Sequence, residues 1–485
     1  MVARPPRSTS FEAVIGLEIH VQLATRTKLF CADHTDFGAP PNTQVCPVCL
    51  GLPGALPALN GAAVDLAVRA ALGLACTVHE RSAFVRKHYF YPDLPKGYQI
   101  TQRDTPLATD GAVTFEGEAG TRRTRIRRLH LEEDAGRLVH DRVPNMTAID
   151  LNRAGVALIE IVTDPDIASP ADARAFLNML QRTLRYLEVS DCDMEKGSLR
   201  VDANVSLCAP GSDVPGARTE LKNLNSFQGV ERALAFEIDR QTEVLLRGER
   251  VEPATMRWDA EAGVAMRLRS KEEEQDYRFL DDPDVPLLVL AATRIAAIRH
   301  TLPELPADRA RRFVTDYGVS AYEAAVLTAE ASLADYFEGV TAALGEAKLA
   351  SNWTMVDVLA WSNACKRPVA EFPLAPAALA GLLRLVRNGT VSQRAARQTV
   401  LPRMLATGED AAAAVDAAGV GQVSDTVQLG RWVEEVIAAH ADAAQRYAAG
   451  DERVLGYLMG RLMQQSQGRA DPRRAAALFA ERLRP

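Results

Sequence analysis

The character of the sequence changes near residue 290, and this change limits the folds that the chain can adopt. Before it, short runs rich in β-branched residues alternate with Gly, Pro and Asn, which is typical of strands joined by turns and predicts strands at 149–152, 158–162 and 199–207. Two helices are predicted in the same region, with caps at Ser169 and Ser226. After residue 290, Ala-rich segments carry apolar residues at helical spacing. The pattern predicts an α+β region followed by helices, and not the regular βαβ alternation of a dinucleotide-binding fold.

The length of the chain, 485 residues, favours two or three domains over a single core. We predict a first domain at residues 1–295, a helical domain at 296–405 and a tail domain at 406–485. A hydrophobic fraction of 47% and a charged fraction of 25% are those of an ordinary globular protein. We recognise no signal peptide and no apolar run near the roughly 20 residues of a membrane helix, which predicts a cytoplasmic protein with no membrane partner.

The first predicted strand carries an acid and an imidazole on one face. In residues 14–23, Glu18 and His20 alternate with apolar residues and therefore share a face. The run 128–136 places three acids beside a histidine, and Glu160 interrupts an otherwise apolar strand. An acid inside an apolar run is costly to bury unless it is paired or bound to a metal. Acids that converge from separate strands would form an oxygen-rich Mg²⁺ site of the kind that carries ATP phosphates.

Polar side chains also follow two later predicted segments. Alternation within residues 197–204 places four of them on one face: Ser198, Arg200, Asp202 and Asn204. A second polar cluster, at 219–226, precedes a predicted helix N-terminus, where anions bind readily. A solvent-exposed strand face is the alternative for residues 200–204. Beside the acid cluster, the two segments would instead supply the cations and amides that phosphoryl transfer requires.

Longer motifs occur in one order along essentially the whole chain. They are GLEIH (16–20), CPVCLGLPG (46–54), KHYFYPD (87–93), LEEDAG (131–136), DLNR (150–153), ELKNLNS (220–226) and GYLMG (456–460). Together these motifs resemble the B-subunit family of the tRNA-dependent amidotransferases. The resemblance implies a cradle-like catalytic domain with a mixed or antiparallel sheet, an all-α helical domain and a small α-helical YqeY-like tail domain.

The resemblance also implies an activity, that of a carbon–nitrogen ligase with glutamine as the amido-nitrogen donor. ATP would phosphorylate the side-chain carboxylate of a mischarged Asp-tRNA(Asn) or Glu-tRNA(Gln), and ammonia would then displace the phosphate. The expected partners are the charged tRNA, an amidase (the A subunit) that supplies ammonia through a channel, and the small C subunit. Because scattered arginines on exposed helices suit phosphate contacts, we expect the helical and tail regions to bind the tRNA body.

Individual positions follow from the matched motifs. The resemblance implies four Mg²⁺ ligands: Glu18, His20, Glu133 and Glu160. Lys87 matches the lysine at the ammonia channel. Arg200 and Asp202 are expected near the nucleotide or the acyl phosphate, mostly on the geometry of their strand face. The residues expected to contact ATP are Ser198, Asn204, Lys222 and Asn223.

Three of the seven cysteines have the spacing of a zinc site. Cys46 and Cys49 form a Cys-x-x-Cys pair with Cys31 upstream. Many members of the family carry a further upstream cysteine, and in this chain Asp33 stands in its place. Zinc accepts Asp or His, so a Cys₃Asp or Cys₃His site stays open, with a reduced loop without metal as the alternative. Some relatives lack these cysteines, so zinc is not essential to the chemistry.

Three other functions agree less well with the sequence. A free-standing ATP-dependent carboxylate–amine ligase acting on a small metabolite would not need the helices that follow the catalytic region. A non-enzymatic RNA-binding protein built around the cysteines leaves the acids at 133 and 160 unexplained. The related archaeal-type E subunit has an inserted domain for which this chain has no room.

Overall fold

A computed structural model describes residues 11–143, 146–209, 212, 214–270, 277–421, 426–466 and 468–483. The strands are β1 (Glu12–Gln22), β2 (Thr77–Val78), β3 (Arg81–Ser82), β4 (Val85–His88), β5 (Tyr98–Thr101), β6 (Ala108–Gly117), β7 (Gly120–Glu133), β8 (Arg137–Val143), β9 (Met146–Asp150), β10 (Ala157–Thr163), β11 (Leu199–Cys208), β12 (Thr219–Leu224), β13 (Ala254–Asp259), β14 (Val264–Ser270), β15 (Leu280–Asp281) and β16 (Leu288–Val289).

The helices lie mostly in the second half of the chain. They are α1 (Gly61–Gly73), α2 (Pro170–Tyr186), α3 (Phe227–Leu246), α4 (Ala292–His300), α5 (Pro306–Tyr317), α6 (Ala321–Leu327), α7 (Ala331–Leu344), α8 (Ala347–Trp353), α9 (Leu359–Cys365), α10 (Pro376–Arg387), α11 (Gln393–Ala395), α12 (Leu401–Thr407), α13 (Ala411–Ala418), α14 (Thr426–Ala439), α15 (Ala441–Ala448), α16 (Val454–Gln465) and α17 (Pro472–Leu483). Short π-helical segments, Thr354–Val358 and Ala396–Val400, continue α8 and α11, and Val369–Glu371 is a 3₁₀ turn.

A large mixed sheet organises the first part of the chain. Among the described residues it has nine strands, in the order β14-β13-β12-β11-β1-β10-β7-β6-β2. Neighbouring strands are antiparallel except for β12 and β13, which run parallel. Because β1 lies between β10 and β11, the first motif of the chain is at the centre of the sheet. The predicted α+β class, with helices after the sheet, is confirmed.

The two faces of the central strand differ in polarity. Leu17, Ile19 and Val21 are buried in the same apolar cluster as side chains of α1, α2 and α3. Since successive side chains of a strand point to opposite faces, Glu18 and His20 lie on the other side of the sheet. The hydrophobic effect therefore orients the polar residues of β1 away from the helical layer.

Side-chain caps begin the two longest helices at the residues that the sequence predicts. Ser169 accepts a hydrogen bond from the backbone N–H of Asp172, and Pro170 occupies the first turn of α2. Ser226 accepts from the N–H of Gly229 at the start of α3. The polar cluster at 219–226 therefore consists of β12, which ends at Leu224, and the short link to the cap of α3.

The chain divides into two compact units, one ending at Ala307 and the other beginning at Asp308. The second unit holds two separate apolar clusters, one formed by α5–α13 around Phe337 and one formed by α14–α17 around Leu458. The division into domains at 295 and 405 stays a prediction. Within the described residues, no helix has the length and apolar character needed to cross a membrane.

Candidate functional site

A row of polar side chains crosses four neighbouring strands on the polar face of the sheet. The strand register places His130 of β7 opposite Glu160 of β10, and Glu160 opposite His20 of β1. On the other side of β1, His20 lies opposite Arg200 of β11. Side chains directly opposite in a sheet are close enough to interact, so residues far apart in the sequence meet here.

Three side chains of this region converge as a metal site would require. One ligand atom each from His20, Glu132 and Glu160 lies within 4.8 Å of the other two. His20 Nε2 is 3.6 Å from Glu132 Oε1 and 3.7 Å from Glu160 Oε2. Two carboxylates and one imidazole form a donor set that holds a divalent cation.

His130 contacts the carboxylates of both Glu132 and Glu160. Its Nε2 is 3.1 Å from Glu160 Oε2 and 3.7 Å from Glu132 Oε2. Burial alone would lower the pKa of His130, but the carboxylates of Glu160 and Glu132 raise it to about 9. Thr101 also donates a hydrogen bond to Glu132, over 3.0 Å.

The carboxylates of this cluster stay ionised although they are buried. Burial would raise the pKa of Glu160, but His130, and then His20 and Lys87, hold it well below its usual range. The pKa of Glu132 is lowered against burial by its hydrogen bond with His130. Both acids are therefore charged near neutral pH, as metal ligands must be.

Glu133 lies apart from this cluster. Its carboxylate forms an ion pair with Lys96 and accepts the backbone N–H of Ile100 over 2.8 Å. Consecutive residues of a strand face opposite sides, so Glu132 and Glu133 do not share a partner. The structure thus brings Glu132 to the other predicted ligands where the sequence motif points to Glu133. Counting by two from His130 would have identified Glu132.

Glu18 adjoins the cluster in a region rich in acids. Its carboxylate accepts a hydrogen bond from Asn204 over 3.1 Å. Burial, followed by the charges of Glu160, Glu220 and Asp202, raises the pKa of Glu18. A carboxyl group in such surroundings gains from a nearby cation, which would restore its ionisation.

Lys222 and Asp202 form an ion pair beside Glu18. Lys222 Nζ is 2.7 Å from Asp202 Oδ2 and 2.9 Å from Glu220 Oε1. Burial would lower the pKa of Lys222, but these two acids raise it. The ammonium of Lys222 therefore stays charged between these two acids.

Arg200 is held by an acid that sequence reasoning missed. Asp134 is buried and accepts from Arg200 Nη2 over 2.8 Å and from Gln22 Nε2 over 2.7 Å, with Arg153 Nε at 3.7 Å. Burial would raise the pKa of Asp134, but Arg200 and then Arg153 lower it. Asp134 orients the guanidinium of Arg200 beside His20.

The remaining predicted site residues do not all lie near the metal-ligand cluster. Lys87 Nζ lies 4.8 Å from the centre of the Tyr277 ring, and its charge acts on Glu160. Ser198 instead donates to Asp191 and, over 3.1 Å, to the carbonyl of Asp193, so it orders a local turn. Asn223 donates to the carbonyl of Trp258 over 2.9 Å. The structure therefore does not bring Ser198 and Asn223 to the metal-ligand cluster.

The predicted zinc ligands come together in a second cluster. Ligand atoms of Cys31, Asp33, Cys46 and Cys49 all lie within 4.8 Å of one another. Cys49 Sγ is 3.6 Å from Cys31 Sγ, 3.9 Å from Cys46 Sγ and 3.1 Å from Asp33 Oδ2. Zinc–sulfur bonds of about 2.3 Å in a tetrahedron set two sulfurs about 3.8 Å apart, so the donors fit zinc.

A buried lysine lies against this second cluster. Lys28 is fully buried, and its Nζ is 3.3 Å from Cys49 Sγ. It also donates to the carbonyls of Gln44, over 2.7 Å, and Leu151, over 3.4 Å. A hydrogen bond with Cys31, together with the charge of Lys28, lowers the pKa of Cys49 to about 6. A buried ammonium is stable only beside negative charge, which the Asp33 carboxylate and the Cys49 thiol, both with lowered pKa values, supply.

Two cavities open at opposite ends of β1. The first, of about 370 Å³, includes Gly16 and Glu18 and is lined by three arginines, Arg127, Arg128 and Arg218. The second, of about 550 Å³, includes Gln22 at the other end of the strand. The metal-ligand cluster at His20 lies between them along the strand.

Comparison with known protein families explains the shared motifs. A model of the GatB/GatE catalytic domain matches residues 13–296, more than half of the chain, and a model of the GatB domain matches residues 335–483. The chain belongs to the GatB/GatE family. The first match spans the sheet with both ligand clusters, and the second lies within the helical unit.

Individual members of the family are similar over nearly their whole length. A protein of Moorella thermoacetica, named as the B subunit of aspartyl/glutamyl-tRNA(Asn/Gln) amidotransferase, is 47% identical, covering 98% of this chain and 100% of the relative. Proteins with the same name from Chlorobium phaeobacteroides and Carboxydothermus hydrogenoformans are 46% and 45% identical, with at least 96% of each chain covered.

Proposed function

We propose that this protein is the B subunit of a tRNA-dependent amidotransferase, a carbon–nitrogen ligase. Its substrates are a mischarged Asp-tRNA(Asn), a Glu-tRNA(Gln), or both, and its place is the cytoplasm. Identity of 47% over 98% of the chain to a relative with this name carries the proposal. The protein then acts in a complex with two others, an amidase (the A subunit) that releases ammonia from glutamine and the small C subunit.

The reaction has two steps. An oxygen of the substrate carboxylate attacks the γ-phosphorus of ATP, the bond to ADP breaks, and an acyl phosphate forms. Ammonia then attacks the acyl carbon, the carbon–oxygen bond to phosphate breaks, and the amide remains. Neither step changes an oxidation state, so the site has to supply only positioning and charge.

His20, Glu132 and Glu160 would hold Mg²⁺ for the first step, with Glu18 adjacent. The ion, when bound, offsets negative charge on the transferred phosphoryl group. His130 keeps the two carboxylates ionised and in place. Glu18 has a raised pKa beside other acids, and this supports the assignment because a cation there would favour its charged form.

Cationic side chains on both sides of the cluster would offset the negative charge of the transferred phosphoryl group. We assign Arg200, oriented by Asp134, and Lys222, held by Asp202, to the phosphoryl group. ATP would enter through the cavity at Glu18, whose lining includes three arginines and one carboxylate. Lys87 would act on the ammonia side, since its charge already reaches Glu160.

The Cys₃Asp cluster would hold structural zinc. Its four ligands are protein side chains, which leaves no open position for a substrate. Zinc would link the segment at Cys31 and Asp33 to the segment at Cys46 and Cys49. Its contribution is therefore to the shape of the loop between them.

Amidation of each mischarged tRNA by the reconstituted three-protein enzyme tests the proposal. We expect glutamine-dependent formation of Asn-tRNA(Asn), Gln-tRNA(Gln) or both, and only when ATP is present. Omission of ATP or of this protein should leave glutaminase activity but no amidated tRNA. If neither charged tRNA is amidated by the complete complex, the proposed function is wrong.

A further inference from the structure

The groove at the far end of β1 is unassigned by the proposed chemistry. It has a volume of about 550 Å³, within the range of about 300–1,000 Å³ of pockets that hold small organic groups. A smaller recess of about 250 Å³ shares Gln22 and Phe37 with it. The groove is therefore large enough for more than an amino-acid side chain.

Side chains that line the groove also contact the acid beside the metal-ligand cluster. Gln22 and Arg153 line it, and both approach Asp134, the acid that holds Arg200. Arg200 lies opposite His20 in the strand register. A group bound in the groove is thus linked to the metal-ligand cluster through Gln22, Asp134 and Arg200.

An aromatic side chain on an anchored loop forms part of the wall. Phe37 is 75% exposed, although a phenyl ring gains from burial. The loop is held in place because Asn152 donates to the carbonyl of Pro40 over 2.8 Å and accepts the N–H of Gln44 over 2.9 Å. Asp33 and Cys46, two ligands of the second cluster, bracket this loop. The ring is therefore presented to the groove on a fixed support.

The charge of the groove differs from that of the cavity at Glu18. Three acids and three cations line the groove: Asp36, Asp150, Glu195, Arg137, Arg153 and Lys196. Two of these cations also pair with acids outside the wall, Arg153 with Asp134 and Lys196 with Asp191. The cavity has three arginines and one carboxylate, which suits a polyphosphate. A polar wall without an excess of positive charge, and with one exposed ring, suits a neutral, flat group with hydrogen-bonding edges, such as a nucleobase.

We propose that the groove binds the 3′-terminal nucleoside of the charged RNA, with its base against Phe37. The inference rests on the proposed function, which supplies an aminoacyl ester at the RNA 3′ end. The terminal ribose carries that ester, so a nucleoside in the groove directs the substrate carboxylate towards His20 and Arg200. ATP approaches from the opposite end of β1, and the two substrates meet at the cluster.

The replacement Phe37→Leu tests the contact with the base. Stacking of a base on an aromatic ring contributes about 1–3 kcal/mol, and 1.4 kcal/mol corresponds to tenfold. We expect the reconstituted complex with Phe37→Leu to show a KM for the charged tRNA raised about tenfold, with kcat and the KM for ATP unchanged. Phe90→Leu is the matched control, because Phe90 is 79% exposed and lies outside the groove.

A second substrate identifies the base as the partner of the ring. A charged tRNA with an abasic terminal ribose should have a KM raised about tenfold with the wild-type complex, and Phe37→Leu should add nothing further. Equal effects of Phe37→Leu on both substrates, or equal KM values for Phe37→Leu and Phe90→Leu, would overturn the proposal.

Binding of uncharged tRNA separates this proposal from the proposed function. Fluorescence anisotropy with intact and terminally abasic tRNA measures the base contribution to the Kd without any amidation. Even if neither charged tRNA is amidated, the proposed binding of the terminal base in the groove is supported when Phe37→Leu raises the Kd for intact tRNA and leaves the Kd for abasic tRNA unchanged. A Kd that responds equally for both RNAs contradicts it.

Discussion

Two adjacent glutamates in β7 illustrate how much depends on single residues. Glu132 points to His20, whereas Glu133 pairs with Lys96. We predict that Glu132→Gln raises the Mg²⁺ concentration for half-maximal ATP-dependent phosphorylation of the charged tRNA at least about tenfold, the usual scale for a disturbed metal site. The measurement is an Mg²⁺ titration of ADP release by the reconstituted complex.

The control for this prediction is Glu133→Gln. It removes the same charge from the next residue, and we expect its Mg²⁺ titration to follow that of the wild type. A shifted titration for Glu133→Gln and an unchanged one for Glu132→Gln would reverse the assignment in favour of the sequence motif.

A second prediction about a single residue concerns Lys28. Because its ammonium contacts Cys49 and is fully buried, Lys28→Met removes the positive charge beside the Cys₃Asp cluster. Replacement of a residue beside the metal ligands typically lowers metal affinity about 10–100-fold. We expect Lys28→Met to lower zinc affinity by a factor in this range. Competition with a chromogenic chelator measures it, with Lys348→Met, an exposed lysine in the second unit, as the control. Zinc affinity equal to that of the wild type would contradict the role of Lys28.

Strand alternation and sequence motifs were enough to predict part of the candidate site. Alternation correctly places Glu18 and His20 on one face, and the break in an apolar run identifies Glu160. Asp134 was missed because its role depends on Gln22 and Arg200, which reach it from other strands. Such partners depend on strand order, and local pattern carries no information about it.

Among the elements, the sheet core and the helix caps were accessible from sequence. The predicted strand at residues 158–162 is β10, and that at 199–207 is β11. The predicted strand at 149–152 is wrong in its second half, because β9 ends at Asp150 and the next residues form a loop. That loop is held by tertiary contacts, including Leu151 to Lys28, which no local pattern reveals.

The first turn of α6 carries a pH-dependent prediction. Hydrogen bonds from Lys348 and from the backbone of Ser320 lower the pKa of Glu323 to about 2, below its ordinary value of 4.5. A lowered folded-state pKa stabilises the fold above the unfolded value, and this contribution is lost as the pH falls from about 4.5 towards 2. We predict that Glu323→Gln destabilises the protein at pH 6 and that its difference from the wild type shrinks by pH 3.

Thermal unfolding across this pH range measures the difference. Glu330→Gln is the control, because Glu330 begins α7 without a side-chain capping bond. A difference between Glu323→Gln and the wild type that stays constant from pH 6 to pH 3 would exclude the titration of Glu323 as its source.

At the scale of the whole molecule, the last four helices form their own apolar cluster around Leu458. Arginines outnumber lysines there, and we expect this part of the chain to contact the tRNA body. Truncation after Gly421 removes α14–α17 and leaves the cluster around Phe337 intact. We predict loss of tRNA amidation with glutaminase activity retained, measured in the reconstituted complex. Unchanged amidation by the truncated protein would place tRNA binding elsewhere.

In the proposed function, the metal-ligand cluster on β1, β7 and β10 would hold the cation that assists transfer of the γ-phosphoryl group of ATP to the carboxylate of a charged tRNA. Single-turnover reactions of the reconstituted complex with γ-labelled ATP test it most directly, with the wild type and Glu160→Gln compared. For the wild type we predict one ADP and one labelled phosphate per amide formed, and for Glu160→Gln neither ADP nor amide, with glutaminase activity retained. Amidation without ADP formation, or wild-type turnover by Glu160→Gln, would contradict the account.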